Sequence, residues 1–454
     1  MMKFFPLGGT NEIGANCYYL NLFGTGLLLD CGIHPRKINL DSLPKFELLE
    51  NLPVDFVIIS HAHQDHIGSL PYLIQKYPHA RIFSTPQTRE IAELALHNSA
   101  NILRKRLSKE DDLIPYTHDE IDLLVKSIKD YSYNEKFSIR GLRHNSNSNI
   151  EITFFDAGHI LGSAAVLIEI NGKRIFYTGD INLSSQEILA GAELPIRSVD
   201  VLISETTYAG TISSKLSTWS DETRRFANAA NKILAKGGSI LIPVFALGKT
   251  QEILFVISNL IKKGMLTEVS IFSGGISRKY SRRYDNNRYK VKRSLKDYEL
   301  WDIPQEELYD VDILAAVRKN PSIVLASSGM MIEGTKSFEL IKEWIKYKSN
   351  GVFIVGYMDP ETPGYLVMNA GPGDSLQLTE NSNPIKVNCR VERFYFPSHS
   401  KREELLEIVN KLTPGRVVLV HGEQKAVDWM GMKILEDFPT IKVNSAELGR
   451  WITF

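Results

Sequence analysis

Residues 54–66 read Val54-Asp55-Phe56-Val57-Ile58-Ile59-Ser60-His61-Ala62-His63-Gln64-Asp65-His66. The first half is a β-branched, apolar run, the pattern of a buried strand. The run ends on His61, and four ligand-type side chains then follow within six residues: His61, His63, Asp65 and His66. They fall at the C-terminal end of a strand, where open α/β sheets form their ligand crevices. Imidazole and carboxylate are ordinary zinc ligands, and a catalytic site keeps one position for water. Four such groups crowd a single ion. The loop therefore points to two ions close together, with His61 and His63 on one and Asp65 and His66 on the other. A run of surface polar residues is the competing reading. It suits a single histidine better than a cluster at a strand end.

Each ion needs further donors from distant sequence. His159 lies in Asp156-Ala157-Gly158-His159 and Asp180 in Thr178-Gly179-Asp180. Strands are expected at 151–155 and 164–170, around the loop with His159, and at 174–178, ending on Gly179-Asp180. Both residues can then reach the same crevice, although either alone would read as a cap or turn residue. Asp180 can bridge two ions with its two oxygens. Two metals about 3.5–4 Å apart clamp the attacking and leaving oxygens of a displacement and supply hydroxide near neutral pH. That suits phosphodiester hydrolysis and, on these residues alone, ester or amide hydrolysis equally.

The chain has 454 residues, which predicts two domains or one with a large insertion. Hydrophobic residues make up 43% and charged residues 23%, as in an ordinary globular protein. Lys+Arg and Asp+Glu are both 53, so any positive surface must be local. Cys17, Cys31 and Cys389 are far apart and lack a C-x-x-C pairing, against both a disulfide framework and a cysteine zinc site. Neither a signal peptide nor a bilayer-spanning run is apparent, so the cytoplasm is the expected location and no membrane partner is expected. A short helix is expected to open at 67–77 and a strand at 199–204, ending at Glu205. From about residue 210 strands at 239–244, 269–273, 322–326 and 352–356 alternate with helices near 221–236, 249–263 and 336–346. That rhythm predicts a second, mostly parallel α/β sheet. A helix at 402–411 and a strand at 416–420, ending on His421, close the chain.

Asp30, the run His61 to His66, His159 and Asp180 resemble, in order, the four motifs of the metallo-β-lactamase fold. Ser204-Glu205-Thr206-Thr207-Tyr208 resembles motif A of the β-CASP nucleases, and Phe396-Pro397-Ser398-His399 stands where motif B is expected. Val420-His421-Gly422-Glu423 resembles motif C. Pro243 to Glu252 resembles their helix-opening segment and Ala326-Ser327-Ser328-Gly329-Met330-Met331 their Ser-Gly-Met loop. The match runs nearly end to end. It is nearest to the bacterial and archaeal relatives of the mRNA 3′-end-processing endonuclease. The resemblance implies an α/β fold, a metallo-β-lactamase αββα sandwich with an inserted β-CASP domain. The implied division is 1–205, 206–390 for the cap, and 391–454. Two zinc ions are implied, and the donors also accept manganese or iron.

By the same resemblance His61, His63 and His159 bind the first ion, Asp65, His66 and His421 the second, and Asp180 bridges. Asp30 orients the loop of His61 to His66. Glu205 and His399 pair beside the scissile phosphate and assist proton transfer to the leaving oxygen. The inserted domain closes over the site as a cap. A histidine at motif C is the family feature associated with RNA, so His421 favours RNA. Two segments depart from the family pattern. Phe396-Pro397-Ser398-His399-Ser400 replaces Phe-Ser-Gly-His-Ala, which allows a different loop path before His399. Gly356-Tyr357-Met358-Asp359-Pro360 replaces a Gly-Tyr-Gln segment, and Asp359 and Glu361 there would repel phosphate unless they face away.

Residues 278–293 interleave Arg278, Lys279, Arg282, Arg283, Arg288, Lys290, Lys292 and Arg293 with Tyr280, Tyr284 and Tyr289. Charges for phosphates and rings for bases suit a single-stranded nucleic acid; a solvated helix face explains them equally. Arg104-Lys105-Arg106 and Lys109 form a weaker patch that reads as surface. Ser327 and Ser328 offer hydroxyls and N–H groups to a phosphate, or form a turn. The expected function is hydrolysis of single-stranded RNA, as an endonuclease before a 5′-exonuclease, with a homodimer left open. Three rivals stand: a DNA nuclease, a catalytically silent RNA-binding or scaffold subunit, and a small ester or thioester hydrolase.

Overall fold

Met2–Gly8, Cys17–Leu22 and Thr25–Leu29 are mainly apolar runs buried at nearly every residue. In the computed structural model, which describes residues 1–106, 113–142, 149–213, 217–294 and 297–454, these strands begin a seven-stranded sheet. Its spatial order is Ile452–Thr453, Met2–Gly8, Cys17–Leu22, Thr25–Leu29, Phe56–Ile58, Arg81–Ser84 and Lys129–Asp130. A second seven-stranded sheet runs Lys442–Ser445, Arg416–Val420, Val201–Glu205, Lys173–Tyr177, Ala164–Ile170, Asn149–Asp156 and Lys136–Arg140.

The period of two sends every second side chain to one face. Phe4, Tyr18, Leu20, Leu29, Phe56 and Ile58 of the first sheet share one buried cluster with Ile152, Phe154, Val166, Ile175, Tyr177 and Ile203 of the second. The two sheets therefore pack face to face. The other face of the second sheet, through Leu167, Phe176, Leu202 and Leu419, packs on helices Arg402–Leu412 and Gln424–Asp437. Helices Pro86–Arg106 and His118–Ser127, absent from the sequence expectations, pack on each other. The buried Ile91, Ala92, Ala95 and Leu96 form a sparse stripe at helical spacing among polar residues, which explains why the first helix is hard to read.

The strand expected over 54–60 is regular only at Phe56–Ile58, though Ile59 N–H still donates to Phe83 O at 2.9 Å. The helix expected from 67 is two short pieces, Gln64–Ile67 and Leu70–Lys76. Asp65 and His66 therefore lie in a helical turn.

The chain divides into two compact units: Met1–Ser185 with Leu189–Ser213 and Ser398–Phe454, and Gln186–Ile188 with Ser214–Pro397. The second unit holds a six-stranded sheet in the order Glu306–Glu307, Ser270–Ser273, Ser322–Ala326, Ile240–Pro243, Gly351–Ile354 and Arg390–Arg393. Every pairing in it is parallel. Parallel strands need crossovers, and helices including Trp219–Leu234, Lys249–Lys262 and Lys336–Trp344 supply them. Among the described residues no helix is long and apolar enough to cross a membrane.

Candidate metal centre

Strand ends of the first unit converge on one buried cluster. His61 follows Phe56–Ile58, Asp180 follows Lys173–Tyr177, and His421 follows Arg416–Val420. His159 sits in the loop between Asn149–Asp156 and Ala164–Ile170, where Gly158 has φ +67°. Donor atoms of His61, His63, His159 and Asp180 lie within 4.8 Å of one another, and so do those of Asp65, His66 and His421. A third such group is Asp180, Glu205 and His399.

Inside the first group His63 Nδ1 is 3.2 Å from His61 Nε2 and 3.1 Å from His159 Nε2. Asp180 Oδ2 is 3.6 Å from Nε2 of both His61 and His159. Asp180 Oδ1 faces the second group, 3.2 Å from His66 Nε2 and 3.1 Å from His421 Nδ1. This buried oxygen nevertheless makes no hydrogen bond of acceptable geometry. A buried carboxylate oxygen with several imidazole nitrogens around it and no proper hydrogen bond fits a cation at that point. His421 Nε2 is 3.3 Å from Asp65 Oδ2, which completes the second group.

The outer ring nitrogens are held by the fold. His159 Nδ1 donates to Ser398 O at 2.7 Å, which turns its Nε2 lone pair inward. His66 Nδ1 donates to Asp30 Oδ2 at 2.8 Å. Asp30, fully buried, also accepts Ser60 N–H at 2.7 Å, Ser60 Oγ–H at 2.7 Å and the Tyr177 hydroxyl at 2.6 Å. Of the nitrogens that face Asp180, His66 Nε2 also lies 3.0 Å from the buried Asn16 amide, and His421 Nδ1 lies 3.1 Å from Thr207 Oγ1. Gly32 is required beside this loop, since a Cβ there would stand 1.6 Å from Asp65 O.

Burial holds His61 and His159 well below the ordinary imidazole range, with His66 and His399 respectively pushing the same way. Both are thus neutral, the form that ligates metal. Burial also lowers His66, but Asp180, Asp65 and Asp30 outweigh it and raise that ring well above the usual value. Burial opposes ionisation of Asp180 and Asp65. The neighbouring imidazoles, His421 and His66 foremost, win and hold both carboxyls below the usual range. Ionised carboxylates and the neutral imidazoles of His61 and His159 suit divalent cations, and a cation bound at His66 would displace its proton.

Beside it His399 Nδ1 is 3.1 Å from each Glu205 oxygen. Glu205 is fixed in turn by Ile181 N–H at 2.7 Å and Thr207 N–H at 3.3 Å. In the unusual segment before His399, Ser398 meets His159 through its backbone carbonyl.

Several expectations in the second unit need correcting. Tyr280 and Tyr284, expected to offer rings to bases, are 5% and 0% exposed, and Arg293 is buried too. They share the inward face of the helix Ile276–Asn286 or its following turn, so only Tyr289 of the three tyrosines is exposed. On the same helix Arg282 is exposed, while Arg278 and Arg283 are partly buried. Ser328 Oγ accepts Ile332 N–H at 3.1 Å, a turn contact. Asp359 is 7% exposed and accepts Glu361 N–H at 3.0 Å. In the first unit Arg104 and Lys105 are exposed, in line with the surface reading of that patch, whereas Lys109 and the Arg106 side chain lie outside the described residues. The sequence reading missed Ser60, Tyr177, Asn16 and Thr207. Ser60 and Tyr177 lay next to motif residues, but nothing in their spacing marked them.

Three family models match the chain. A metallo-β-lactamase superfamily domain covers residues 20–207, a β-CASP domain 250–366, and a zinc-dependent metallo-hydrolase RNA specificity domain 384–445. The chain is 31% identical to the cleavage and polyadenylation specificity factor 73 of Drosophila melanogaster, over 96% of this chain and 62% of that protein. It is 30% identical to endoribonuclease YSH1 of Saccharomyces cerevisiae, over 98% and 58%. Integrator complex subunit 11 of Danio rerio is 27% identical, over 96% and 72%. The chain thus spans about six-tenths of the length of the first two relatives. A crystal structure of a protein of unknown function from Enterococcus faecalis has the same fold, with a TM-score of 0.57, 13% identity and full coverage of both chains. With its sandwich, its parallel-sheet insertion and the matching domains in order, the chain has a metallo-β-lactamase superfamily domain interrupted by a β-CASP domain.

Proposed function

We propose that this chain is a zinc-dependent endoribonuclease that hydrolyses phosphodiester bonds of single-stranded RNA. The observation that carries the reading is a pair of adjoining donor groups with Asp180 in the first and its Oδ1 facing His66 and His421 of the second, and Glu205 and His399 directly beside them. In this reading His61, His63 and His159 would hold one ion and Asp65, His66 and His421 the other, with Asp180 available to each. When bound, two divalent cations activate water and neutralise charge on the phosphate. The RNA specificity match at 384–445, which includes His399 and His421, favours RNA over DNA. The relative named an endoribonuclease favours internal cleavage.

The chain's own groups have separable tasks. Asp30 clamps His66 and Ser60 so that the loop needs little reorganisation on binding metal. Glu205 accepts the hydrogen bond from His399 Nδ1–H and favours the imidazolium, whose Nε2–H proton would pass to the leaving 3′-oxygen and leave a neutral ring. The three free, buried cysteines fit a reducing compartment such as the cytoplasm. A time course on end-labelled RNA, with matched DNA and an Asp65→Ala control, tests the reading. Discrete internal RNA products, lost on chelation and in the variant, are expected. A ladder from one end would replace endonuclease by exonuclease, and preference for DNA would sink the RNA assignment.

A further inference from the structure

A basic and aromatic strip on the second unit takes no part in the hydrolytic site described above. At its centre Trp301 is 45% exposed. The guanidinium of Arg282 lies 4.5 Å from its ring centroid and that of Arg278 5.4 Å. These arginines are one helical turn apart on Ile276–Asn286, on a different face from the buried Tyr280 and Tyr284. Asp285 of the same helix accepts N–H of Leu300 and Trp301, both at 2.9 Å, and so fixes the backbone under the indole.

The strip continues past the start of that helix. Tyr309, 50% exposed, lies over Gly274 and Gly275, where a Cβ on either would come within 2.9 Å of its ring. The two glycines make room for the ring. Lys336 Nζ lies 5.9 Å from the Tyr309 ring centre. Arg278 is paired with Glu307 at 3.3 Å, but Arg282 makes no ion pair among the described residues. Its charge is left facing solvent beside an exposed indole.

An apolar protein partner would ask for a contiguous apolar patch, not rings edged by guanidinium and ammonium groups. Flat exposed rings with flanking cations match a polyanion that also carries flat faces, and only an unpaired strand has its bases free to stack. We propose that Trp301 and Tyr309, with Arg282, form a stacking platform for unpaired bases of RNA, and that Arg278 and Lys336 meet its phosphates. This rests on the RNA reading of the hydrolytic site and names a surface through which the second unit would hold that substrate.

The test uses the metal-loaded full chain and a fluorescein-labelled, phosphorothioate-linked oligouridylate that resists hydrolysis. Trp301→Ala should raise Kd about tenfold or more, Trp301→Phe less than about threefold, and Arg282→Gln by an intermediate factor. Hydrolysis of bis(p-nitrophenyl) phosphate should stay at the parent rate in all three. Parental affinity in Trp301→Ala would overturn the platform and leave the hydrolase reading standing. Equal loss in Trp301→Ala and Trp301→Phe, or a lowered small-ester rate, would make the indole structural and overturn it likewise. Failure of the parent itself to bind the oligonucleotide would remove the platform and the RNA reading together. As a second measurement, 4-thiouridine RNA should cross-link to the peptide containing Trp301 and Tyr309, and cross-links only elsewhere would refute the assignment.

Discussion

Replacing Asp30 by Asn tests how the donor loop is held. Asp30 Oδ1 accepts one donor, Ser60 N–H, whereas Oδ2 accepts Ser60 Oγ–H, His66 Nδ1–H and the Tyr177 hydroxyl. An asparagine keeps most partners by placing its oxygen at the Oδ2 position. Its NH2 then meets the Ser60 N–H at 2.7 Å, donor against donor. One buried hydrogen bond is lost, and the remaining three lose the help of a full negative charge. A bond to a charged group contributes about 1.5–3 kcal/mol, and an unsatisfied buried donor costs about 1–3 kcal/mol. Asp30→Asn should therefore destabilise the metal-free protein by about 3 kcal/mol. Metal affinity should fall about 10–100-fold, because His66 and the Ser60-His61 backbone lose their anchor. Denaturant unfolding of the metal-free protein gives the first quantity, and competition with a chromophoric chelator the second. A variant within about 1 kcal/mol of the parent in stability and within about twofold in metal affinity would refute this account of the loop.

Glu205→Gln and His399→Ala should each lower kcat on RNA by about 10²–10⁴-fold with metal content unchanged, as metal analysis and steady-state kinetics would show; loss of metal instead would make them ligands. Lys249 is 6% exposed and donates to the Phe396 carbonyl. Burial pulls its pKa down to about 8, only partly offset by Glu252. The folded state then gives up this proton first, so stability should rise with pH between the folded value and the ordinary one. The gain from pH 7.5 to 9.5 is about 2 kcal/mol, and Lys249→Met should lack that increment. Matching pH slopes in denaturant titrations of the two proteins would contradict it. Gly32→Ala places a methyl 1.6 Å from Asp65 O and should cost at least about 3 kcal/mol or abolish metal binding; a stable variant that binds metal normally would show that the loop can move aside.

The core of the site was legible because its chemistry is local in sequence. A buried strand giving way to His61, His63, Asp65 and His66 exposes the donors at one strand end whatever the rest of the chain does. His159 and Asp180 were found from their strand-end loops, while His421, Glu205 and His399 acquired roles only through resemblance to a family. Sequence periodicity also foretold the parallel sheet of the second unit, since β-branched runs alternating with helical spacing admit few other arrangements. The helix Pro86–Arg106 escaped because its buried stripe is thin.

What only the tertiary structure decided is which atoms meet. Spacing cannot say that Asp30 serves Ser60, His66 and Tyr177 at once, because those partners lie 30, 36 and 147 residues away. Nor can it say that Ser398 O fixes the tautomer of His159 across 239 residues. The basic stretch teaches the same lesson at shorter range. As a string, 278–293 offers every arginine and tyrosine to solvent alike. Wound into Ile276–Asn286, it buries Tyr280 and Tyr284 and leaves Arg282 outside with Trp301, a ring contributed by a later loop. The sequence determined a metal-binding strand end by local order, and the fold decided ligand orientation and surface chemistry by joining residues that are distant along the chain.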